Sequence, residues 1–266
     1  MAEDRYTEED IRERWIEFGS AVDRLVQRVG DLDEFPVLAR SSLAGDDRKA
    51  HPFEVSRAVR HLINASIDQL HGIKVLLVDA QVEHLAVGPT LARAATENTA
   101  TALWILGPAQ RAERLNRVFR WHVRNYQDER KTVGKFVGDR PDANISSLMK
   151  TATMLGLDPK VEHGYAISKP IEEAQDFTDM DVLFLWQVAS GFAHGRPWAY
   201  QGLLQRRTLQ VNEGHRVMRL APRTDLSIWL PMQALHLLGE VLRLRDRRAG
   251  LLMPPMPNGE PDSSRR

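Results

Sequence analysis

Two stretches of this chain are apolar nearly all the way round a helix, and each still carries polar residues at helical spacing. The first is Leu91 to Leu106 (LARAATENTATALWIL), in which Arg93 and Glu97 are the only charged residues. The second is Asp181 to Trp198 (DVLFLWQVASGFAHGRPW), where Gln187, Ser190 and His194 recur at i, i+3 and i+7 and share one face. Helices of this kind belong in the middle of a bundle. An unpaired charge is costly there, so these polar groups are expected to have partners.

Amphipathic helices fill most of the remainder. Thr7 and Asp10 have capping-box spacing, and Ile11, Trp15, Phe18, Val22, Leu25 and Val29 then repeat to predict a helix over about 8–29. Gly30 to His51 lacks sustained periodicity. Pro52 suits the first turn of a second helix reaching Asp79 or somewhat beyond. Gly88-Pro89 and Gly107-Pro108 bracket the Leu91 helix, an Arg-rich helix fills Ala109 to about Val137, and a shorter one follows Asn144. From Gly156 to Asp179 turn residues dominate, which reads as a long loop with room for one helical turn. Asp179 is placed to cap the second apolar helix, which should end near Gly195 and Pro197. Two β-prone runs around Asn212, Glu213 and Gly214 predict one small hairpin near 206–221. Asp225 can cap a last helix carrying Leu226, Trp229, Leu230, Leu235, Leu238, Val241, Leu242 and Leu244, with Pro231 tolerable only near its first turns. The sum is an all-α bundle of about six or seven helices: a single domain over 1–250, with the N-terminal helix at about 8–29 and the core at about 52–248. The Pro-rich stretch 251–266 is expected to be a disordered tail.

Composition narrows the chemistry. Thirty-six basic and 36 acidic residues cancel, so no global field draws the chain to nucleic acid or anionic lipid, and there is no DNA signal. Without cysteine there is no disulfide, thiolate nucleophile or cysteine-ligated metal. The acidic N-terminus is not a secretory signal and no run reaches the ~18 apolar residues of a membrane span, which points to a cytoplasmic protein away from membranes. Walker loops, G-x-G-x-x-G, G-x-S-x-G and H-E-x-x-H are all missing, so no cofactor is expected.

Three polar groups remain. Arg57, His61, Asn64, Asp68, His71 and Asp79 form a stripe opposite Val59, Ile63, Leu70, Ile73 and Leu77. That is the pattern of a solvated face, and a lone Asp-x-x-His with no second copy argues against a metal. Arg114, Arg117, Arg120 and Arg124 lie on one side of the Arg-rich helix, diluted by Glu113 and Asp128, and also read as solvated; His122 falls inside the apolar stripe as a core residue. The third group is Arg93, Glu97, Gln187, Ser190, His194 and Arg196. Arg93 before Glu97 is the weaker order for an i, i+4 pair, so each is expected to look across the bundle. His194 sits at a helix C-terminus, where the dipole favours a cation able to act as an acid or bind an anion beside Arg196.

The pairing of LARAATENTATALWIL with SGFAHGRPW resembles a group of uncharacterised bacterial all-helical proteins that carry Arg-x-x-x-Glu in one apolar helix and Ser-Gly-x-Ala-His-Gly-Arg-Pro-Trp in a later one, over roughly Pro52 to Gln201. More distantly the chain is similar to HEPN domains, helical bundles that often dimerise and in many members cleave RNA without metal. Their signature is Arg followed after four to six residues by His. Gln187, Val188 and Ala189 stand where that Arg would precede His194, and the literal match is Arg117 with His122.

Three expectations follow. The first is a non-catalytic or ligand-sensing bundle, homodimeric as the resemblance to HEPN domains implies, whose site at Arg93, Glu97, Gln187, Ser190, His194 and Arg196 binds a small anion or orders the core. The second is a HEPN-like ribonuclease with His194 as acid/base, Arg93 or Arg196 stabilising phosphate charge and Glu97 nearby. The third is a protein interaction module using the Arg114 to Arg124 side or the tail.

Overall fold

Helix ends account for much of this architecture. A computed structural model describes residues 7–31, 34–212 and 215–251; the tail from 252 onward and the Glu213-Gly214 turn of the hairpin lie outside the described residues. Helix α1 (Glu8–Val29) starts with the capping box that the sequence predicts: Thr7 Oγ1 accepts from the Asp10 backbone N–H, and the Asp10 carboxylate accepts from the Thr7 backbone N–H. Helix α2 (Ser42–Ala50) lies in the stretch expected to lack periodic structure and is capped by the Ser41 hydroxyl. Helix α3 (Val55–Lys74) runs into one π turn at Val75–Asp79. Helix α4 (Val87–Leu106) opens before Leu91, with Gly88 and Pro89 inside its first turn, where a missing N–H costs nothing.

Next come α5 (Arg111–Val137) and α6 (Arg140–Met154); α6 begins ahead of Asn144 because Pro141 suits its first turn. The expected long loop instead holds a 3-10 turn at Pro159–His163, helix α7 (Ser168–Ala174) and a second 3-10 turn at Gln175–Phe177. Helix α8 (Val182–Ala193) is capped by Asp181 rather than Asp179, and α9 (Pro197–Leu203) follows at once. The hairpin forms as expected from β1 (Gln205–Asn212) and β2 (His215–Ala221), antiparallel, with an irregularity between Thr208 and Gln210. Helix α10 (Thr224–Arg248) closes the described chain; Asp225 lies in its first turn and pairs with Arg223 instead of capping it, and Pro231 lies inside it.

The class is all-α, but ten α-helices form among the described residues rather than six or seven. The excess is α2, α7 and α9, of nine, seven and seven residues. An apolar stripe needs about three turns to declare its period, and these are too short to do so. No helix among the described residues is long and apolar enough to cross a membrane.

Helix α4 is the axis on which α3, α7, α8 and α10 pack. Ala92, Ala95, Thr99, Ala100 and Ala102 are buried along it, and such small side chains let neighbouring helices approach. Between α3 and α4 the buried hydroxyls are satisfied locally: Thr99 Oγ1 donates to Ser66 Oγ at 2.9 Å, and Ser66 Oγ donates to the Leu62 carbonyl at 2.9 Å. Two glycines set how α9 returns over α8. Gly195 adopts φ +61°, and a Cβ on Gly191 would stand 2.5 Å from the Trp198 ring.

The Arg-rich face of α5 is not solvated as expected. Arg114 is buried against Asp46 of α2, with Nε to Oδ2 at 2.6 Å and Nη2 to Oδ1 at 2.9 Å, and its Nη1 donates to the Pro108 and Ala109 carbonyls. Arg117, also buried, donates to the Trp104 carbonyl at 2.8 Å, and Arg248 donates to Gly107 and Pro108. The last carbonyls of α4 and the turn after it have no partner within the helix, so buried guanidinium groups supply the donors.

Candidate functional site

One turn of α4 separates Arg93 from Glu97, and one turn of α8 separates Trp186 from Ser190. Packing of the two helices closes these four residues into a ring of contacts. Arg93 Nε donates to Ser190 Oγ at 2.9 Å, Arg93 Nη2 lies 3.0 Å from Glu97 Oε2, and Trp186 Nε1 donates to the same oxygen at 3.0 Å. The guanidinium also stands over the Trp186 ring, 5.3 Å from its centroid. Arg93 and Glu97 therefore both pair with each other and reach across the bundle, the cross-helix bonds holding an i, i+4 pair whose sequence order is unfavourable. Their side chains are 24% and 31% exposed, so the group sits at the rim of the α4/α8 interface rather than in a dry core. Sequence reasoning missed Trp186; its signal was the i, i+4 spacing to Ser190 and a ring N–H that needs an acceptor when buried.

Gln187, His194 and Arg196 do not join this ring. All three are exposed, and their side chains have no hydrogen bond or ion pair among the described residues. They line an open groove of about 390 Å³ over α8, walled by Phe184, Trp186 and Trp198. His194 is the C-cap residue of α8 and Arg196 the N-cap residue of α9, so the sharp turn at Gly195 brings both to one side. Because Glu97 faces Arg93, the charge left over in the groove is that of Arg196.

Ser190 Oγ accepts from Arg93, and among the described residues no base is hydrogen-bonded to it of the kind that activates a nucleophile. Flat aromatic walls, one guanidinium, one imidazole and one amide suit recognition of a planar anion.

The other sequence candidates disperse. Arg117 faces Trp104, Glu113 and Glu173, whereas His122 lies among Phe53, Trp121 and Tyr126. Burial pushes the His122 imidazole down to about 4, and its Nε2 is buried without a hydrogen bond. Arg57, His61 and Asp68 on α3 and Asp79 at the end of its π turn are exposed, and no group of three or more His, Asp or Glu among the described residues could hold a metal ion. A larger cavity than the groove, about 650 Å³, lies elsewhere, between α1 and α10, where two amphipathic helices far apart in sequence leave a gap. No family model, curated protein or solved structure matches this chain.

Proposed function

We propose that the chain is a non-catalytic, ligand-sensing helical bundle of the cytoplasm whose α8 groove binds a small planar anion. One observation carries this reading. Gln187, His194 and Arg196 line a groove with two tryptophans and their side chains have no hydrogen bond or ion pair among the described residues, while the neighbouring Arg93, Glu97, Ser190 and Trp186 satisfy one another. The closed ring holds Trp186 and the register of α8; the open residues face the ligand. A homodimer would cover the half-exposed Phe184 and Trp198, which are 50% and 52% exposed. Titration with benzoate, indole-3-carboxylate and adenosine monophosphate, followed by tryptophan fluorescence, tests the assignment. Saturable quenching that Arg196→Ala weakens about tenfold is expected, the worth of one charge-assisted hydrogen bond. Failure of all three probes, or binding indifferent to Arg196→Ala, would overturn it.

A ribonuclease reading draws on His194 and Arg196 lining the same open groove, since an imidazole and a guanidinium can serve phosphate transesterification. Metal-free incubation with an oligoribonucleotide decides between them. Cleavage that disappears in His194→Ala would replace the sensing reading.

A further inference from the structure

Away from the α8 groove, α3 and the last turns of α10 enclose a cavity of about 400 Å³ together with the segment after α1. Arg57, Arg60, His61 and Asn64 line it from α3, at spacings that put them on one stripe of that helix, and Arg245 lines it from α10. Arg245 is buried and fixed, donating to Asp246 at 2.8 Å and to the Phe35 and Pro36 carbonyls. Arg28 shares Asp246 at 3.3 Å, and Arg60 lies 2.7 Å from Glu34, whose wholly buried carboxylate has this ion-pair contact but no hydrogen bond of good geometry among the described residues. Three guanidinium groups (Arg28, Arg60 and Arg245) thus share two carboxylates, and Arg57 interacts electrostatically with Glu54, the N-cap residue of α3. Arg57 and His61 are exposed, and neither side chain has a hydrogen bond or contact ion pair among the described residues. Asn64 Oδ1 is buried with no hydrogen bond.

A buried polar atom without a partner is uncommon and calls for an explanation, and three arginines and a histidine lining one concavity suit an anion. We propose that this cavity is a binding site for a phosphate group carried by a small soluble molecule. Arg57, His61 and Asn64 hold the ligand, with Arg60 and Arg245 fixing the shape behind them. Arg57 offers several N–H donors from α3, and His61 and the Asn64 amide add more, which matches a tetrahedral group with three free oxygens; a carboxylate has two and would leave donors idle. Asn64 adds an acceptor for a hydroxyl on the body of the ligand. The cavity exceeds a bare phosphate in size, so a small polar body fits beside it. Glu34 limits the charge the site takes: with Arg60 already matched, one phosphate suffices, and a nucleic acid backbone has no continuous basic track to follow. The site shares no residue with the α8 groove and stands whether or not that groove binds a ligand.

The test is the thermal unfolding midpoint of the full chain in glycerol 3-phosphate and in inorganic phosphate, against sodium chloride at matched ionic strength. Wild type should rise by about 5 °C once the ligand stands about 100-fold above its Kd. The double variant Arg57→Ala, His61→Ala should unfold with wild type in chloride, because both side chains are exposed and make no hydrogen bond or contact ion pair among the described residues, and should lose that rise. Phosphate excluded from the protein surface raises both proteins alike, so the difference between them reads the site. Equal shifts in the two proteins would overturn the proposal. Co-sedimentation with phosphatidylcholine vesicles, with and without phosphatidic acid, separates the two sources of phosphate. Vesicle binding that needs Arg57 and His61, with no response to either soluble probe, would overturn a soluble ligand.

Discussion

Helix α4 meets arginine in two places and the outcomes are opposite. At its C-terminal end Arg114, Arg117 and Arg248 converge on carbonyls that the helix cannot satisfy, and Arg114 is 2% exposed against an Asp46 side chain that is 0% exposed. Burial draws the Arg248 pKa down to about 10, with the like charge of Arg114 adding to it and Asp46 opposing it. Near its N-terminal end Arg93 lies beside backbone that is already hydrogen-bonded. Its donors go to side chains, and the groove next to it remains open. Unsatisfied backbone decides the difference: where helix carbonyls are buried, arginine becomes scaffold, and where they are not, neighbouring polar residues are left free for a ligand.

Asp46→Ala is the strongest way to break this contrast. It leaves Arg114 buried without its carboxylate, a loss of about 3–5 kcal/mol in denaturant unfolding. A loss as small as that of an exposed pair would show that the buried end is not scaffold.

His122 on α5 sharpens the same contrast, being buried among rings with no charge partner in contact. Burial lowers its pKa from 6.5 to about 4; the charge of Glu54 opposes this, while His61 and Arg57 add to it. Between those values the unfolded chain binds more protons than the folded one, so stability is complete above about pH 6.5 and falls as pH drops toward 4. The full shift corresponds to about 3 kcal/mol. His122→Phe should remove that part of the pH dependence, read as the difference between variant and wild type at pH 7.5 and 4.5. Parallel curves would mean that the folded protein accepts the proton at little cost.

The scaffold was legible in the sequence wherever a stripe was long enough. Thr7 and Asp10 and the run from Ile11 to Val29 lie where spacing alone put them, and the two apolar helices do so to within a few residues at their ends. Short helices were not legible, nor were contacts between distant residues. Arg114 lies 68 positions from Asp46, and Arg245 lies 210 from Phe35, so neither the buried end nor the cavity beside α3 leaves a local trace. Of the candidate site, the face shared by Gln187, Ser190 and His194 could be read, but its division into one inward and two outward residues could not. That division depends on the angle at which α8 meets α4.

Half-exposed pairs are worth less than buried ones, so Glu97→Gln should cost about 1 kcal/mol and Arg93→Ala a similar amount. A double-mutant cycle on the two should return a coupling no larger than that. Glu97→Gln keeps an acceptor for the Trp186 ring N–H, so the indole stays in place while the ion pair is lost. Coupling of 3 kcal/mol or more, the range found for broken buried pairs, would move this group into the same class as Arg114 and Asp46.

The smallest effect is expected at His194, and it bears most directly on function. The imidazole is exposed at the end of α8 and bonds to nothing among the described residues; the contact that closes the helix there is the His194 backbone N–H to the Ser190 carbonyl at 3.0 Å, which alanine retains. His194→Ala should therefore leave stability within about 0.5 kcal/mol, as at other surface positions, and the melting midpoint within about 2 °C. Ligand binding in the groove should weaken in the same variant. A clear drop in the midpoint would mean that the imidazole holds the α8 to α9 turn, and both readings of the groove would lose the residue they share. An unchanged midpoint with weakened binding separates ligand from scaffold at one position, a separation that Arg114 cannot show because its donors are already committed to carbonyls and to Asp46.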